Sequence, residues 1–134
     1  MLGSIAAAML LTAASGPIPV DVGRANWTAL PPLKAVERVM PSPEMVDRVE
    51  TMFESGACTI RGQSAKKFDI TIPYAVLVEP DGSARRVVVA ETGCAELETY
   101  VGVIVSAMAR EGDFKATGQA KARWFASELN FNLQ

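Results

Sequence analysis

Phe68-Asp69-Ile70-Thr71-Ile72-Pro73-Tyr74-Ala75-Val76-Leu77-Val78, then Glu79-Pro80-Asp81-Gly82, then Ala84-Arg85-Arg86-Val87-Val88-Val89-Ala90 is the stretch that decides the fold. A strand sends alternate side chains to opposite faces, so Phe68, Ile70, Ile72, Tyr74, Val76 and Val78 share one apolar face. Asp69, Thr71 and Glu79 mark a wetter face, which Ala75 and Leu77 make partly apolar. Pro73 has no N–H to give a ladder, which predicts that this part lies at a sheet edge or a bulge. Pro80-Asp81-Gly82 is the strongest turn signal in the chain, and Asp81 reads as a turn former, not as a catalytic acid. The stretch is therefore a hairpin.

Working outward, a helix opens at Cys94 and closes at Gly112. Leu97, Tyr100, Val101, Ile104, Val105 and Met108 recur on one side of it, and Gly102 lies beside them, permitting close packing on a sheet. The chain ends in a further strand with Phe125, Leu129, Phe131 and Leu133 on one face and Trp124, Glu128, Asn130 and Asn132 on the other. Upstream, Ser42 is a good N-cap, Pro43 suits the first helical position and Glu44 complements the dipole. Met45, Val46, Val49, Met52 and Phe53 follow at helical spacing until Gly56 stops the helix, a stripe that reads as core. These elements predict an α+β fold: a three-stranded antiparallel sheet in the order strand, strand, helix, strand, with two helices on one face.

The 134 residues suffice for one domain with a real core. A net charge of −2 offers no broad field for nucleic acid or an anionic membrane, and no nucleic-acid partner is expected. Arg61, Lys66, Lys67, Arg85 and Arg86 form short basic runs with too few aromatics between them for a stacking platform, and read as solvated faces. Histidine is absent, so no serine or cysteine has the usual base, and no paired-carboxylate motif stands out. An enzyme is not expected, and neither a cofactor nor a metal is called for.

Residues 1–16 carry the uncharged run Ile5-Ala6-Ala7-Ala8-Met9-Leu10-Leu11 and then small residues up to Gly16, which reads as a signal peptide although its usual basic start is missing. The run is far shorter than the ~20 residues that span a bilayer, so no stable membrane insertion is expected once it is cleaved. Export to the periplasm follows as an expectation. It favours a disulfide between the only two cysteines, Cys58 and Cys94, over two free buried thiols or a redox pair. Six of the eight prolines fall between Pro17 and Pro43, so residues 17–41 read as an extended, Pro-rich leader that Trp27, Leu30 and Leu33 can pin to the domain at 42–134.

Pro80-Asp81-Gly82 with Arg85-Arg86-Val87-Val88-Val89-Ala90, then Thr92-Gly93-Cys94 opening a helix, then Gly112-Asp113-Phe114-Lys115-Ala116-Thr117-Gly118 and a terminal strand, resembles the C-terminal domain of the TonB family. The resemblance covers roughly residues 40–134 and is strongest from Pro80 onward. Such domains grip a short peptide of an outer-membrane transporter by strand addition in the periplasm. The resemblance thus implies a protein or peptide partner at the cell envelope, met at the terminal edge strand through Trp124, Glu128, Asn130 and Asn132. It leaves room for a homodimer. Two other roles compete: an energy transducer of the TonB type, and a structural envelope protein without a peptide ligand. The Pro-rich stretch lacks the Lys-Pro and Glu-Pro repeats of a transducer's spacer, and Met40-Pro41 stands where the family commonly has Tyr-Pro.

Overall fold

The computed structural model describes residues 17–24, 26–35 and 40–134. The signal-peptide reading of residues 1–16 lies outside them. Four strands, β1 (Val20–Gly23), β2 (Phe68–Val78), β3 (Ala84–Ala90) and β4 (Arg123–Leu133), form one sheet in the order β1-β3-β2-β4. Two helices, α1 (Pro43–Glu54) and α2 (Ala95–Arg110), complete an α+β architecture.

The hairpin forms as its sequence dictates. β2 and β3 run antiparallel, with Tyr74 opposite Val89 and Leu77 opposite Arg86. The turn is closed by the Gly82 N–H on the Glu79 carbonyl at 2.9 Å and the Glu79 N–H on the Ser83 carbonyl at 2.8 Å. Gly82 takes φ +96°, a left-handed conformation that glycine adopts without steric cost. Asp81 accepts from the Ser83 N–H and hydroxyl at 2.9 and 2.7 Å, which holds its carboxyl below the ordinary carboxylate range. β4 pairs antiparallel with β2 along its whole length, from Phe68 opposite Leu133 to Val78 opposite Arg123.

Two expectations need correcting. The sheet has four strands and is mixed, not three and antiparallel, because Val20–Gly23 lies parallel to β3 with Val20 opposite Val87 and Gly23 opposite Ala90. Four residues alternate too briefly to announce a strand. A parallel pairing also has no hairpin turn to betray it. Pro19 tolerates the strand start because it contributes only its carbonyl, which accepts from the Val87 N–H at 3.0 Å. Second, Pro73 lies in β2, between β3 and β4, not in an edge strand, and the register shift in β2 falls at Leu77/Val78. The odd-numbered residues of β2 address β3, and the β3 pairing ends at Tyr74–Val89, so the missing N–H of Pro73 points past the last rung.

The predicted apolar faces converge on one core. Phe68, Ile72, Tyr74, Val76 and Val78 of β2, Val87 and Val89 of β3, and Leu129 and Phe131 of β4 are buried beneath Val49 and Met52 of α1 and Leu97, Val101 and Val105 of α2. Ser42 caps α1 by accepting from the Met45 N–H at 3.3 Å. Glu98, buried in the first turn of α2, accepts from the Thr92 N–H at 2.6 Å, the Thr92 hydroxyl at 2.9 Å and the Gly93 N–H at 3.1 Å. This carboxylate therefore serves the helix entry. Cys58 and Cys94 form a disulfide, with Cα atoms 5.2 Å apart, that ties the loop after α1 to the residue capping α2.

Candidate functional site

β4 occupies one edge of the sheet, and its register defines what that edge presents. In an antiparallel ladder, alternate residues direct both backbone groups toward the neighbour and the rest direct them away. The Ala126 N–H donates to the Pro31 carbonyl at 3.0 Å, and the Leu33 N–H donates to the Ala126 carbonyl at 2.8 Å. Ala126 thus faces outward, and so do the other even-numbered residues of β4. Glu128, Asn130 and Asn132 turn N–H and C=O to the outside, and among the described residues none of these backbone groups has a partner.

The four residues expected at a partner-binding edge share the face of β4 opposite the helices. Trp124 stands half-buried opposite Leu77, while Glu128, Asn130 and Asn132 are exposed opposite Pro73, Thr71 and Asp69. The Asn130 amide donates to Asp69 Oδ1 at 2.7 Å and to Thr71 Oγ1 at 2.9 Å, which orients both strands' polar side chains across this face. Neither Asp69 nor Glu128 has a cationic partner among the described residues, whose ion pairs are Arg24–Glu91, Arg85–Glu79 and Arg86–Asp21.

Sequence reasoning missed how the Pro-rich stretch frames this edge. After β1, at the opposite edge, the chain makes a single 3-10 turn at Trp27–Ala29 and then pairs in parallel with β4 at Pro32–Ala126. It crosses the helix-free face on the way. Trp27, Leu30 and Pro32 share a hollow of about 390 Å³ with Pro73, Ala126 and Glu128, and Ala75, on this same face, is only 2% exposed. The strap continues to Ala35, which bridges to Phe114, and the Lys34 carbonyl accepts from the Lys115 N–H at 2.9 Å. Its signal was Trp27, Leu30 and Leu33, three large apolar residues in a stretch otherwise rich in proline. The result is an edge occupied at Ala126 and open from Glu128 onward, with a hollow beside the open part.

A hollow of about 470 Å³ between the helices is lined by Met40, Met45, Tyr100, Ile104, Met108 and Leu129, with Glu111 and Asp113 at its rim. Among the described residues no group of three or more His, Cys, Asp or Glu side chains could hold a metal ion, and no helix is long and apolar enough to cross a membrane. Tyr74 is buried, and burial raises its phenol above the ordinary value, partly offset by the Ser127 hydroxyl. It belongs to the core and touches no cleft described above. No family model, curated protein or solved structure matches the chain significantly.

Proposed function

We propose that the chain is an exported protein- or peptide-binding domain of the cell envelope, similar to the C-terminal domains of the TonB family, which takes an extended partner segment as an added strand beside β4. The observation that carries this reading is the position of β4 at a sheet edge with the outward backbone groups of Glu128, Asn130 and Asn132 unpaired among the described residues. A strand laid there gains main-chain hydrogen bonds, and alternate side chains find separate environments. On the helix-free face these are the hollow walled by Trp27, Leu30 and Pro32 and the carboxylates of Glu128 and Asp69. An unpaired carboxylate opposite an added strand favours a lysine or arginine there. The strap at Ala126 limits the added strand to the C-terminal half of β4 unless it displaces Pro31–Leu33. The Cys58–Cys94 disulfide supports an oxidising compartment such as the periplasm.

The test is photocrosslinking in cells. A photoreactive residue replaces Asn132, whose side chain is exposed, and a control replaces Glu96, exposed on α2. The expected result is a discrete crosslinked polypeptide from position 132 that is absent from position 96. Capture of the same species in equal yield from both positions defeats the edge-strand reading.

A further inference from the structure

The opposite edge of the sheet carries its own set of unsatisfied features. Among the described residues four large apolar side chains are exposed, and three of them, Val20 at 39%, Val22 at 49% and Val103 at 56%, line one hollow of about 270 Å³ between β1 and α2. The backbone of β1 is half-used. The Val87 N–H donates to the Pro19 carbonyl at 3.0 Å and the Glu91 N–H to the Gly23 carbonyl at 3.1 Å, so the odd-numbered residues address β3. Val20 and Val22 direct N–H and C=O away from the sheet, with no partner among the described residues.

The wall of the hollow includes Ser106, a residue 7% exposed whose buried hydroxyl is the one buried side-chain polar atom without a hydrogen-bond partner among the described residues. Arg110, one turn further along α2, stands exposed at its rim with no ion-pair partner among the described residues. The hollow's own carboxylate, Glu98, is already committed to Thr92 and Gly93. Unpaired edge, exposed valines and unanswered cation all meet in one place.

We propose that the outer edge of β1 and the adjoining face of α2 form a second strand-addition site, which takes an extended, β-branched peptide segment carrying one carboxylate side chain. The segment's backbone bonds to the free groups of Val20 and Val22, up to four hydrogen bonds in all. Its β-branched residues cover Val20, Val22 and Val103, completing an apolar seam over α2. Its carboxylate accepts from the Arg110 guanidinium, which has no ion-pair partner among the described residues. A second copy of this chain fits less well. The residues of β1 that share the α2 side of the sheet, Val20 and Val22, bring no carboxylate, and Asp21 is held on the other face by Arg86 at 2.8 Å. Antiparallel self-pairing centred on β1 also sets two Asp21 side chains directly opposite each other, an unfavourable like-charge pair.

The site stands on the far edge from β4, so its test is independent of that strand. The chain is titrated with the heptapeptide acetyl-Glu-Thr-Val-Thr-Val-Thr-Glu-amide, and with the same peptide carrying Gln at both ends, while amide shifts and hydrogen exchange are followed by NMR. Expected are new protection of the Val20 and Val22 amides, a shift at Val103, and a roughly fivefold preference for the Glu peptide, as one partly exposed ion pair supplies. Arg110→Gln, at an exposed position, is expected to remove the preference while leaving the protection, and Val103→Lys to weaken both peptides. The proposal is overturned by perturbation confined to Glu128–Asn132, by equal affinity for the two peptides, or by no binding at millimolar peptide. A peptide-free dimer in sedimentation with Val20 and Val22 already protected also overturns it, since the occupant is then another copy of the chain.

Discussion

Replacing Cys58 and Cys94 together by alanine tests what joins the two helices. The bridge closes a loop with a sequence separation of 36, and both cysteines are buried, at 3% and 2% exposure. Chain entropy alone assigns a loop of this length about 4 kcal/mol at 25 °C. Lost sulfur packing adds roughly 1 kcal/mol, the order of a small core truncation. Stabilities of domains this size lie at about 5–15 kcal/mol, so the variant keeps only part of its margin. With urea slopes of about 1–3 kcal/mol per molar, the midpoint falls by roughly 2 M. The assay is urea unfolding followed by far-UV circular dichroism and tryptophan fluorescence, Trp27 reporting on the strap and Trp124 on β4. Protein reduced in denaturant and refolded under reductant separates tether from packing, since it keeps both sulfurs. The reduced protein is expected to carry most of the loss and the alanine variant slightly more. A midpoint shift below about 0.5 M in both samples, well under the loop-entropy expectation, refutes the reasoning.

Gly82→Ala tests the hairpin turn: at φ +96° a new Cβ would stand 2.6 Å from the Phe114 carbonyl oxygen, so both backbone strain and a main-chain clash oppose it. A loss of about 2–3 kcal/mol is expected in thermal or urea unfolding, and unchanged stability would falsify the packing of this turn against the 112–118 loop. Tyr74 sets an alkaline limit. Its phenol is raised by burial in the folded chain, so the neutral form stabilises the fold fully below the ordinary phenol value of about 10, and that contribution is lost as pH rises through the folded value. Absorbance titration of phenolate is expected to show one of the two tyrosines ionising late and together with unfolding, a component that Tyr74→Phe removes.

The hairpin and both helices were legible because their signals are local. Pro80-Asp81-Gly82 sets the turn within three residues, and the stripes from Met45 to Phe53 and from Leu97 to Met108 each repeat over several turns. The last strand was legible too, since Leu129 and Phe131 are buried while Glu128, Asn130 and Asn132 are exposed, as their alternation predicts. β1 was not legible, for its partner lies 67 residues away, Val20 against Val87, and no turn links them. Gly102 hinted at close packing, but its neighbour proved to be Val20: a Cβ there would stand 2.7 Å from Val20 Cγ1. The edge site was half legible. Which face each residue takes follows from period two, whereas which rungs remain open depends on Pro31 and Leu33 reaching Ala126, a tertiary event with no sequence period.

That strap has a consequence for biosynthesis. A ribosome makes Val20–Gly23 and Pro31–Leu33 long before Ala126, yet the first docks on β3 and the second on β4. The early-made segment must therefore wait, undocked from its final neighbours, until β4 has emerged. Such long-range closure slows folding, because the entropy of bringing distant segments together is lost before their contacts form.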